Sequence, residues 1–355
     1  MSVFKAHIDS MSSYRPPLEG RNPDQFTLLD FNERTLPIDD DIVEEIISWL
    51  KSGRLHMYPA YGNIDARIAD YCGVSAANVM ITNGSDQGLD LVFRAACTPG
   101  CEVIIPAPSF PIYLQSAQVE QCVIHEPHYR RETGYPFAEV QALINRNTRV
   151  IVVANPNNPS GTAVSAESII GLAKAAPHAI ILVDECYYEY CQITVADCVE
   201  SYPNIVVTRT FSKTWGLPSL RLGYVLAAAD NIQALLKVRG PYDVNQLAVV
   251  AARAALNRTD LTRAYVAEVM TQSKPLFEQF LMDSGIDFWP SSANFILAAV
   301  PNADAVEKSL RAQGILVRPK ADADGNHALR ITLGSLVQTE ALIKAMQVAM
   351  NQADY

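Results

Sequence analysis

The sequence predicts an α/β protein with two domains: a large one built on a mostly parallel sheet flanked by helices, and a smaller α+β domain toward the C-terminus. Two observations predict this fold class. Apolar runs rich in valine and isoleucine alternate with amphipathic helical patterns up to about residue 240. Beyond that point the pattern changes to long helices and then to short strands. Runs that are apolar throughout are typical of parallel strands covered by helices on both faces.

The first part of the chain contains a series of candidate strands, all short and rich in β-branched residues. In order they are "NVMITNG", "CEVIIPAP", "QCVIHEP", "RVIVVANP", "AIILVDE" and "NIVVTRTFSK". Helical patterns such as "SDQGLDLVFRAAC" and "AESIIGLAKAA" lie between most of them. This alternation predicts crossover helices that connect neighbouring parallel strands.

The second part begins with the helical patterns "NQLAVVAARAALN" and "LTRAYVAEVMTQSKPLFEQFLMDSG". The short strands "ANFILAAV", "ILVRPK" and "ALRITLG" follow, and a last helix is predicted from Val337 to about Gln352. These patterns divide the chain into an N-terminal arm that joins the small domain (1–35), the large domain (36–240) and the small C-terminal domain (241–355).

Composition and charge exclude several classes of protein. About half of the 355 residues are hydrophobic, enough for one large core and a second, smaller one. No apolar run approaches the roughly 18 residues that a membrane-spanning helix needs, and the start "MSVFKAHIDSMSSYRPP" lacks the order of a secretory signal. The formal net charge of −10 opposes binding to nucleic acid or to membrane surfaces. We therefore expect a cytoplasmic protein with a small-molecule partner.

Cysteine and histidine give no metal-binding pattern. The seven cysteines are an odd number without CxxC spacing, which indicates reduced and mostly buried thiols rather than a disulfide or zinc framework. His125 and His128 are the only close histidine pair, and no second ligand pair accompanies them. The sequence predicts no metal site.

Polar residues follow the predicted strands where ligands bind in open α/β sheets, beyond the carboxyl ends of the strands. In "TNGSDQGL", Gly84, Ser85 and Asp86 open a helix whose backbone N–H groups could hold a phosphate, although Ser-Asp is also ordinary N-capping chemistry. "NPNNPSGT" forms a rigid strand exit that could aim Asn158 back over the sheet.

Two further strand ends carry charged residues. "ILVDECYYEY" places Asp184 at the end of a very apolar strand, where a carboxylate needs a partner. In "TRTFSKTWGL", Lys213 follows Thr210 and Ser212, and Arg221 comes shortly after. A lysine at a strand end is ordinarily a solvated surface residue. A phosphate cradle, a buried carboxylate, an asparagine and a lysine together are nevertheless what pyridoxal 5′-phosphate requires of a protein.

Four of these segments resemble a known family. "NPNNPSGT", "VDECYYEY", "TRTFSKTWGLPSLRLGY" and "LRITLG" are similar to the signature segments of the fold-type-I, class I/II aminotransferases, over nearly the whole chain and in order. Within that group "YPAYGN", "NGSDQGLDLVFRA", "VRGPYDVNQLA" and "SSANFIL" resemble the histidinol-phosphate aminotransferases. The resemblance implies a pyridoxal-phosphate enzyme of histidine biosynthesis that uses histidinol phosphate and 2-oxoglutarate in a ping-pong reaction through pyridoxamine phosphate.

The resemblance also implies roles for individual residues. Lys213 is implied to bind the cofactor's aldehyde and to act as the general base, Asp184 to pair with the pyridinium nitrogen, and Tyr187 and Asn158 to bond the 3′ oxygen. The remaining cofactor contacts implied are Phe110, stacked on the ring, and the phosphate-binding residues Gly84, Ser85, Asp86, Thr210, Ser212 and Arg221.

Substrate contacts and a dimer are implied in the same way. Arg330, Asn32 and Tyr14 are implied to bind the substrate, and Tyr58 to reach the phosphate of a neighbouring subunit, which requires a homodimer with shared active sites. An arginine such as Arg330 is also common in surface ion pairs. The segment "LDFNERTLP" keeps Asn32 and Glu33 but lacks the Asn-Pro that usually follows in these enzymes.

Two alternatives stay open at the level of sequence. The first is another reaction on the same scaffold, such as transamination of aromatic amino acids or decarboxylation of threonine phosphate, which would use every cofactor residue. The second is a non-enzymatic ligand sensor. The presence of both Lys213 and Arg221, which such a sensor would be free to lose, argues against it.

Overall fold

The computed structural model describes residues 3–322 and 325–353 and contains three sheets. The strands are β1 (Thr27–Leu28), β2 (Val79–Thr82), β3 (Glu102–Ile104), β4 (Val123–His125), β5 (Thr148–Ala154), β6 (Ile180–Asp184), β7 (Ile205–Thr210), β8 (Gly223–Ala227), β9 (Phe295–Ala298), β10 (Ile315–Leu316), β11 (Arg318–Ala321) and β12 (His327–Thr332).

Helices surround these sheets. They are α1 (Ala6–Ser10), α2 (Asp40–Lys51), α3 (Ile64–Cys72), α4 (Gly84–Ala96), α5 (Ile112–Val119), α6 (Phe137–Leu143), α7 (Ala166–Ala175), α8 (Tyr188–Cys191), α9 (Ala229–Leu236), α10 (Gln246–Leu256), α11 (Thr259–Glu268), α12 (Lys274–Asp283), α13 (Ala303–Ala312) and α14 (Leu336–Ala353). None of the helices in the described ranges has the length and apolar character needed to cross a membrane.

The main sheet has seven strands in the order β2-β8-β7-β6-β5-β3-β4. Strand β8 runs antiparallel to both of its neighbours, and the other pairs are parallel. Alternate residues of β6 face opposite cores: Ile181 and Val183 pack into one, and Leu182 packs into the other. Burial on both faces explains why these strands are apolar throughout.

A smaller antiparallel sheet, β11-β12-β9, has its own core. Strand β1 of the N-terminal segment pairs in parallel with β10, so this segment is tied to the C-terminal part of the chain. Helix α10 packs in the core of the main sheet, against α2 and α3. The domain boundaries at residues 35 and 240 stay a prediction.

The predicted fold class is confirmed by this architecture. Each candidate strand of the first part forms a strand of the main sheet, and the long helical pattern after residue 258 forms α11 and α12, joined by a π-helical turn at Val269–Ser273. Strand β8 was not predicted from the sequence. It follows a short 3₁₀ turn at Pro218–Leu220, which separates it from β7 and places it antiparallel.

Candidate active site

A cavity of about 420 Å³ lies at the carboxyl ends of β5, β6 and β7, beside the start of α4. Parallel strands bring their carboxyl ends to one edge of the sheet, which explains why residues distant in sequence meet here. Most of the site residues predicted from the sequence line this cavity: Tyr14, Ser85, Asp86, Phe110, Asn158, Asp184, Tyr187, Thr210, Ser212, Lys213 and Arg221.

Lys213 lies in the turn that follows β7, and its side chain reaches into the cavity. Its Nζ donates a hydrogen bond of 2.9 Å to the backbone carbonyl of Phe31 and lies 5.9 Å from the centre of the Tyr187 ring. Burial lowers the pKa of Lys213, and the nearby Arg330 cation lowers it further. A lysine with a lowered pKa is more often in its neutral, nucleophilic form.

Asp184 is the last residue of β6, and its side chain is buried. The Tyr113 hydroxyl donates to its Oδ2 at 2.5 Å, while the Thr208 hydroxyl and the backbone N–H of Cys186 donate to its Oδ1, each at 3.2 Å. All three donors are neutral, and burial raises the pKa of Asp184. A buried carboxylate that is held only by neutral donors favours a cationic partner in the cavity.

The start of α4 forms a concave surface with Arg221. The guanidinium of Arg221 pairs with Asp86 at 3.0 Å and donates to the Ser212 hydroxyl at 3.3 Å. Gly84 has a φ of +74°, and a Cβ at this position would meet Nη2 of Arg221 at 2.4 Å. Because glycine has no Cβ, the guanidinium packs directly against the start of the helix, where it and the first N–H groups can face one anion together.

Thr210 and Ser212 complete this surface from the end of β7. The backbone N–H of Ser212 donates to the Thr210 hydroxyl at 3.0 Å, which fixes the turn between the two residues. Both side chains are buried at the cavity wall. Their hydroxyl groups add neutral donors to the charge of Arg221.

Tyr187 and Asn158 form the opposite wall, and Asn32 and Arg330 contact these two residues without lining the cavity themselves. Asn32 donates from its side-chain amide to the Tyr187 hydroxyl at 3.0 Å. Arg330 donates from Nη1 to Oδ1 of Asn158 and from Nη2 to the carbonyl of Asp30, both at 2.6 Å. These acceptors are neutral, and within the described residues Nε of Arg330 has no hydrogen-bond partner. The buried guanidinium therefore keeps binding capacity for an anion.

Phe110 and Tyr14 cover the cavity with aromatic surface. Their rings meet edge to face, with centroids 6.3 Å apart, and Phe110 makes a similar contact with Tyr113.

Tyr58 lies elsewhere: its side chain is 77% exposed and stacks on Tyr242 with the ring centroids 4.4 Å apart. Tyr58 does not line the cavity of its own chain.

Sequence reasoning missed several residues of the site, including Cys186. Tyr113 lies three residues after Phe110, near the start of α5, so the same helical face could have indicated it. Thr208 lies two residues before Thr210 on the same face of β7, which is also readable from the sequence. The acceptor for Lys213 is the backbone carbonyl of Phe31, for which no sequence signal exists.

A second polar layer lies behind Lys213, in the wall of another cleft of about 780 Å³. The carboxylate of Glu189 accepts hydrogen bonds from the Thr214 hydroxyl at 3.0 Å, from Nε1 of Trp215 at 3.0 Å and from the Tyr71 hydroxyl at 3.2 Å. Burial raises the pKa of Glu189, and the nearby Arg209 cation opposes that rise. Glu189 thus joins the two residues after Lys213 to helices α3 and α8.

Comparison with known proteins defines the class. The family described as aminotransferase class I and II matches residues 25–346. A histidinol-phosphate aminotransferase from a Thermoanaerobacter species is 31% identical over 323 residues, covering 90% of this chain and 92% of that relative. This chain belongs to the class I and II aminotransferases. It is a pyridoxal-phosphate-dependent transaminase that resembles the histidinol-phosphate aminotransferases, as the sequence predicted.

Solved structures show the same fold. Histidinol-phosphate aminotransferase from Sinorhizobium meliloti, in complex with pyridoxal-5′-phosphate, superposes with a TM-score of 0.89 at 23% identity, covering 99% of this chain and 98% of that one. The L-threonine-O-3-phosphate decarboxylase of Porphyromonas gingivalis gives a TM-score of 0.78 at 21% identity, covering 92% and 99%. Because both superpose on this chain, the fold alone does not select between transamination and decarboxylation.

The cavity fits pyridoxal phosphate on three observations. Asp184 is buried with neutral donors only, which suits a protonated ring nitrogen. The absence of a Cβ at Gly84 lets the Arg221 guanidinium pack against the start of α4, which suits a phosphate there. Lys213 reaches into the same cavity with a lowered pKa, which suits covalent attachment of an aldehyde.

Proposed function

We propose that this transaminase exchanges an amino group between histidinol phosphate and 2-oxoglutarate, giving imidazole acetol phosphate and glutamate. The observation that carries the choice of a phosphorylated substrate is a cluster of three cations on the small sheet, Arg318, Lys320 and Arg330. The name of a similar relative, a histidinol-phosphate aminotransferase, supports the same choice.

The cation cluster follows from the register of two paired strands. Arg318 of β11 lies opposite Arg330 of β12, and Lys320 projects from the same face two residues further along. Burial lowers the pKa of Lys320 to about 8, with Arg330 and Arg318 as the neighbouring charges that lower it further. The Arg318 guanidinium lies 5.1 Å from the centre of the Phe31 ring, which lines the cavity.

Cations that lower one another's pKa repel one another, so holding them close together is unfavourable. A highly charged anion bound between them offsets that repulsion. A phosphate monoester carries between one and two negative charges near pH 7. Glutamate presents a carboxylate to the same region in the second half-reaction. A guanidinium binds either group through two parallel N–H donors, so Arg330 can serve both substrates.

The reacting bonds depend on Lys213 and Asp184. The cofactor, when bound, supplies the aldehyde that holds the amino group and a ring that spreads negative charge from the substrate carbon. Lys213 is the residue that would hold that aldehyde, and its amine, once free, would take the proton from the substrate Cα. Asp184 would keep a proton on the ring nitrogen, because its buried carboxylate would gain a cationic partner there.

The other cavity residues hold and orient the same group. Tyr187 and Asn158 would donate hydrogen bonds to the 3′ oxygen, and Phe110 would pack on the ring face. The phosphate would be held by the start of α4 and the end of β7, through Gly84, Ser85, Asp86, Thr210, Ser212 and Arg221. Asn32 positions the Tyr187 hydroxyl, and Tyr14 covers the substrate side of the cavity.

The proposal includes a homodimer and a location in the cytoplasm. Tyr58 is exposed and distant from its own cavity, which suits a contact with the phosphate in a second subunit. All seven cysteines are free thiols, as is usual in a reducing compartment.

The experiment is a panel of half-reactions on purified holoenzyme. Histidinol phosphate, glutamate, phenylalanine, tyrosine and threonine phosphate are each mixed with the enzyme in the absence of an acceptor. Loss of the absorbance that belongs to the lysine-bound cofactor is followed by stopped flow. We expect histidinol phosphate and glutamate to convert the cofactor fastest, without release of carbon dioxide.

Two outcomes would contradict the substrate choice. A much faster reaction with phenylalanine or tyrosine would indicate an aromatic aminotransferase, and carbon dioxide release from threonine phosphate would indicate a decarboxylase. Borohydride reduction of the holoenzyme, followed by peptide mapping, tests the attachment separately. Label on Lys213 is expected, and label on any other lysine would overturn that assignment.

A further inference from the structure

Three cysteine side chains converge at the edge of the main sheet that lies opposite the cofactor. The sulfur atoms of Cys97, Cys101 and Cys122 all lie within 4.8 Å of one another, and those of Cys101 and Cys122 are 3.6 Å apart. Cys97 and Cys101 are buried, and Cys122 is partly exposed. All three are free thiols, and none contributes to the cavity described above.

The backbone holds these residues in place without help from the sulfur atoms. Cys101 and Cys122 immediately precede the paired strands β3 and β4, and the N–H of Val123 donates to the carbonyl of Cys101 at 2.8 Å. Cys97 follows the last turn of α4, and the tight turn between it and Cys101 uses Gly100 at a φ of +82°. The cluster is therefore organised by the fold itself.

Core packing alone does not require this arrangement. A buried cysteine usually acts as a small apolar residue, and three of them need not place their sulfur atoms together. A separation of 3.6 Å is also well above the roughly 2.05 Å of a disulfide bond. Three convergent thiols match the ligand set of a soft metal ion.

The distances suit such an ion. Zinc-to-sulfur bonds are about 2.3 Å, so two thiolates on one tetrahedral zinc lie roughly 3.8 Å apart. The Cys101–Cys122 pair is already near this value, and rotation of the Cys97 side chain could supply the third ligand. The C-terminal carbonyl groups of α4, beside Cys97, also favour a positive charge.

We propose that Cys97, Cys101 and Cys122 form a binding site for a thiophilic metal ion, with zinc as the reference ion. Binding replaces three thiol protons, which pass to the buffer, with three sulfur–zinc bonds; water occupies the fourth position on the partly exposed side at Cys122. This inference departs from the expectation of no metal site that the sequence spacing gave.

The ion would join the end of α4 to the starts of β3 and β4, the latter being the edge strand of the main sheet. Its effect should be on stability rather than on turnover, because the cofactor residues lie at the carboxyl ends of the strands. Helix α4 separates Cys97 from Gly84 by its full length of 13 residues, about 20 Å.

The test uses holoenzyme that has been treated with a chelator and then titrated with zinc. We expect one zinc per chain to remain after gel filtration, a higher melting temperature, and protection of three of the seven thiols from alkylation. Cys122→Ser should weaken zinc binding at least about tenfold, since even loss of a group that only supports a ligand costs that much. Cys198→Ser, at a partly exposed cysteine outside the cluster, is the matched control and should bind normally.

Three results would overturn the proposal: no zinc retained by the wild-type holoenzyme, equal retention by Cys122→Ser, or loss of binding in Cys198→Ser instead. If mild oxidation joins Cys101 to Cys122 and the reduced enzyme does not retain zinc, the cluster is a dithiol and the metal site is refuted. Cys122→Ala, with the same melting temperature as wild type in chelator, separates loss of the ligand from loss of folding.

Discussion

The side chain of Glu189 accepts a hydrogen bond of 3.0 Å from the indole nitrogen of Trp215, two residues after Lys213. Its second carboxylate oxygen accepts one from Thr214, the residue between them. The turn that carries Lys213 is thus held from behind by one partly buried carboxylate. On the cavity side, the same turn is held by Lys213 itself, whose Nζ donates a hydrogen bond to the carbonyl of Phe31.

We expect Glu189→Ala to lower kcat roughly 10- to 100-fold, because a small displacement of a catalytic group costs that much. Glu189→Gln keeps an oxygen that can accept from Trp215 and should restore most of the rate. The spectroscopic pH titration of the lysine-bound cofactor should shift in the alanine variant and stay near wild type in the glutamine variant. If the two variants show equal rates and equal titrations, Glu189 affects folding only.

The hydrogen bond from Tyr113 should lower the pKa of the Asp184 carboxyl group. Its hydroxyl donates to Oδ2 at 2.5 Å, and Tyr113→Phe removes that donor without changing the ring. Loss of a donor to a carboxylate raises its pKa, so the acidic limb of the kcat profile should move to higher pH, with kcat about 3- to 10-fold lower at its optimum. Thr208→Val, which removes a longer bond to the other oxygen, should give a smaller shift in the same direction. An unchanged pH profile in Tyr113→Phe would show that this contact does not act on Asp184.

The strand ends that carry Asp184 and Lys213 were predictable because each follows an apolar run of unambiguous type. Parallel pairing then brings them together without further information. Thr208 is equally predictable, because it alternates with Thr210 along the same strand. The acceptor of Lys213 could not be predicted, because any residue type can supply a backbone carbonyl. In addition, Phe31 reaches the site only through the pairing of β1 with β10.

The cation cluster on the small sheet could not be predicted from the sequence either. Arg318 and Lys320 lie in "ILVRPK", which was interpreted as one strand but is divided between β10 and β11. Their meeting with Arg330 depends on the antiparallel register of β11 with β12, which the hydrophobic pattern of each strand alone does not give. A sequence pattern of period two predicts which residues of a strand share a face. It does not predict which residue of the neighbouring strand each of them pairs with.

The pKa of Lys213 predicts how the stability of cofactor-free enzyme depends on pH. Burial lowers this pKa in the folded chain, whereas the unfolded chain has the ordinary value of about 10.4. Between the two values the unfolded chain binds more protons, so rising pH stabilises wild type relative to Lys213→Met by about 1.4 kcal/mol per pH unit. Below the folded pKa the difference is constant.

Urea unfolding of both cofactor-free proteins between pH 7 and pH 10 measures this difference. Lys51→Met, at an exposed lysine on α2, is the control and should show no such trend. A stability difference between wild type and Lys213→Met that does not change over this range would contradict a lowered pKa for Lys213.

Arg330→Lys should weaken both amino donors together, since an ammonium group supplies charge without the two parallel donors of a guanidinium. We expect kcat/KM for histidinol phosphate and for glutamate to fall at least about tenfold each, while the affinity for pyridoxal phosphate stays near wild type. Steady-state kinetics and a cofactor titration provide the two measurements.

We expect Lys320→Ala to affect the binding of the two substrates unequally. It removes one cation of the cluster, and a phosphate monoester carries more charge than a carboxylate, so KM for histidinol phosphate should rise more than KM for glutamate. An equal effect on both substrates would place the phosphate away from Arg318 and Lys320.

The proposed sharing of active sites can be tested by mixing two inactive or weakened variants. If Tyr58 reaches the phosphate of the other subunit, a heterodimer of Lys213→Ala and Tyr58→Ala has one site with both defects and one site with neither. Random mixing should then restore up to about a quarter of wild-type activity, measured at limiting pyridoxal phosphate. Tyr14 lines the cavity of its own chain, so mixing Tyr14→Ala with Lys213→Ala should restore nothing beyond the activity of the Tyr14→Ala homodimer. If the Tyr58→Ala mixture also shows no restoration after exchange of subunits, or if the active enzyme sediments as a monomer, Tyr58 acts within its own chain or not at all.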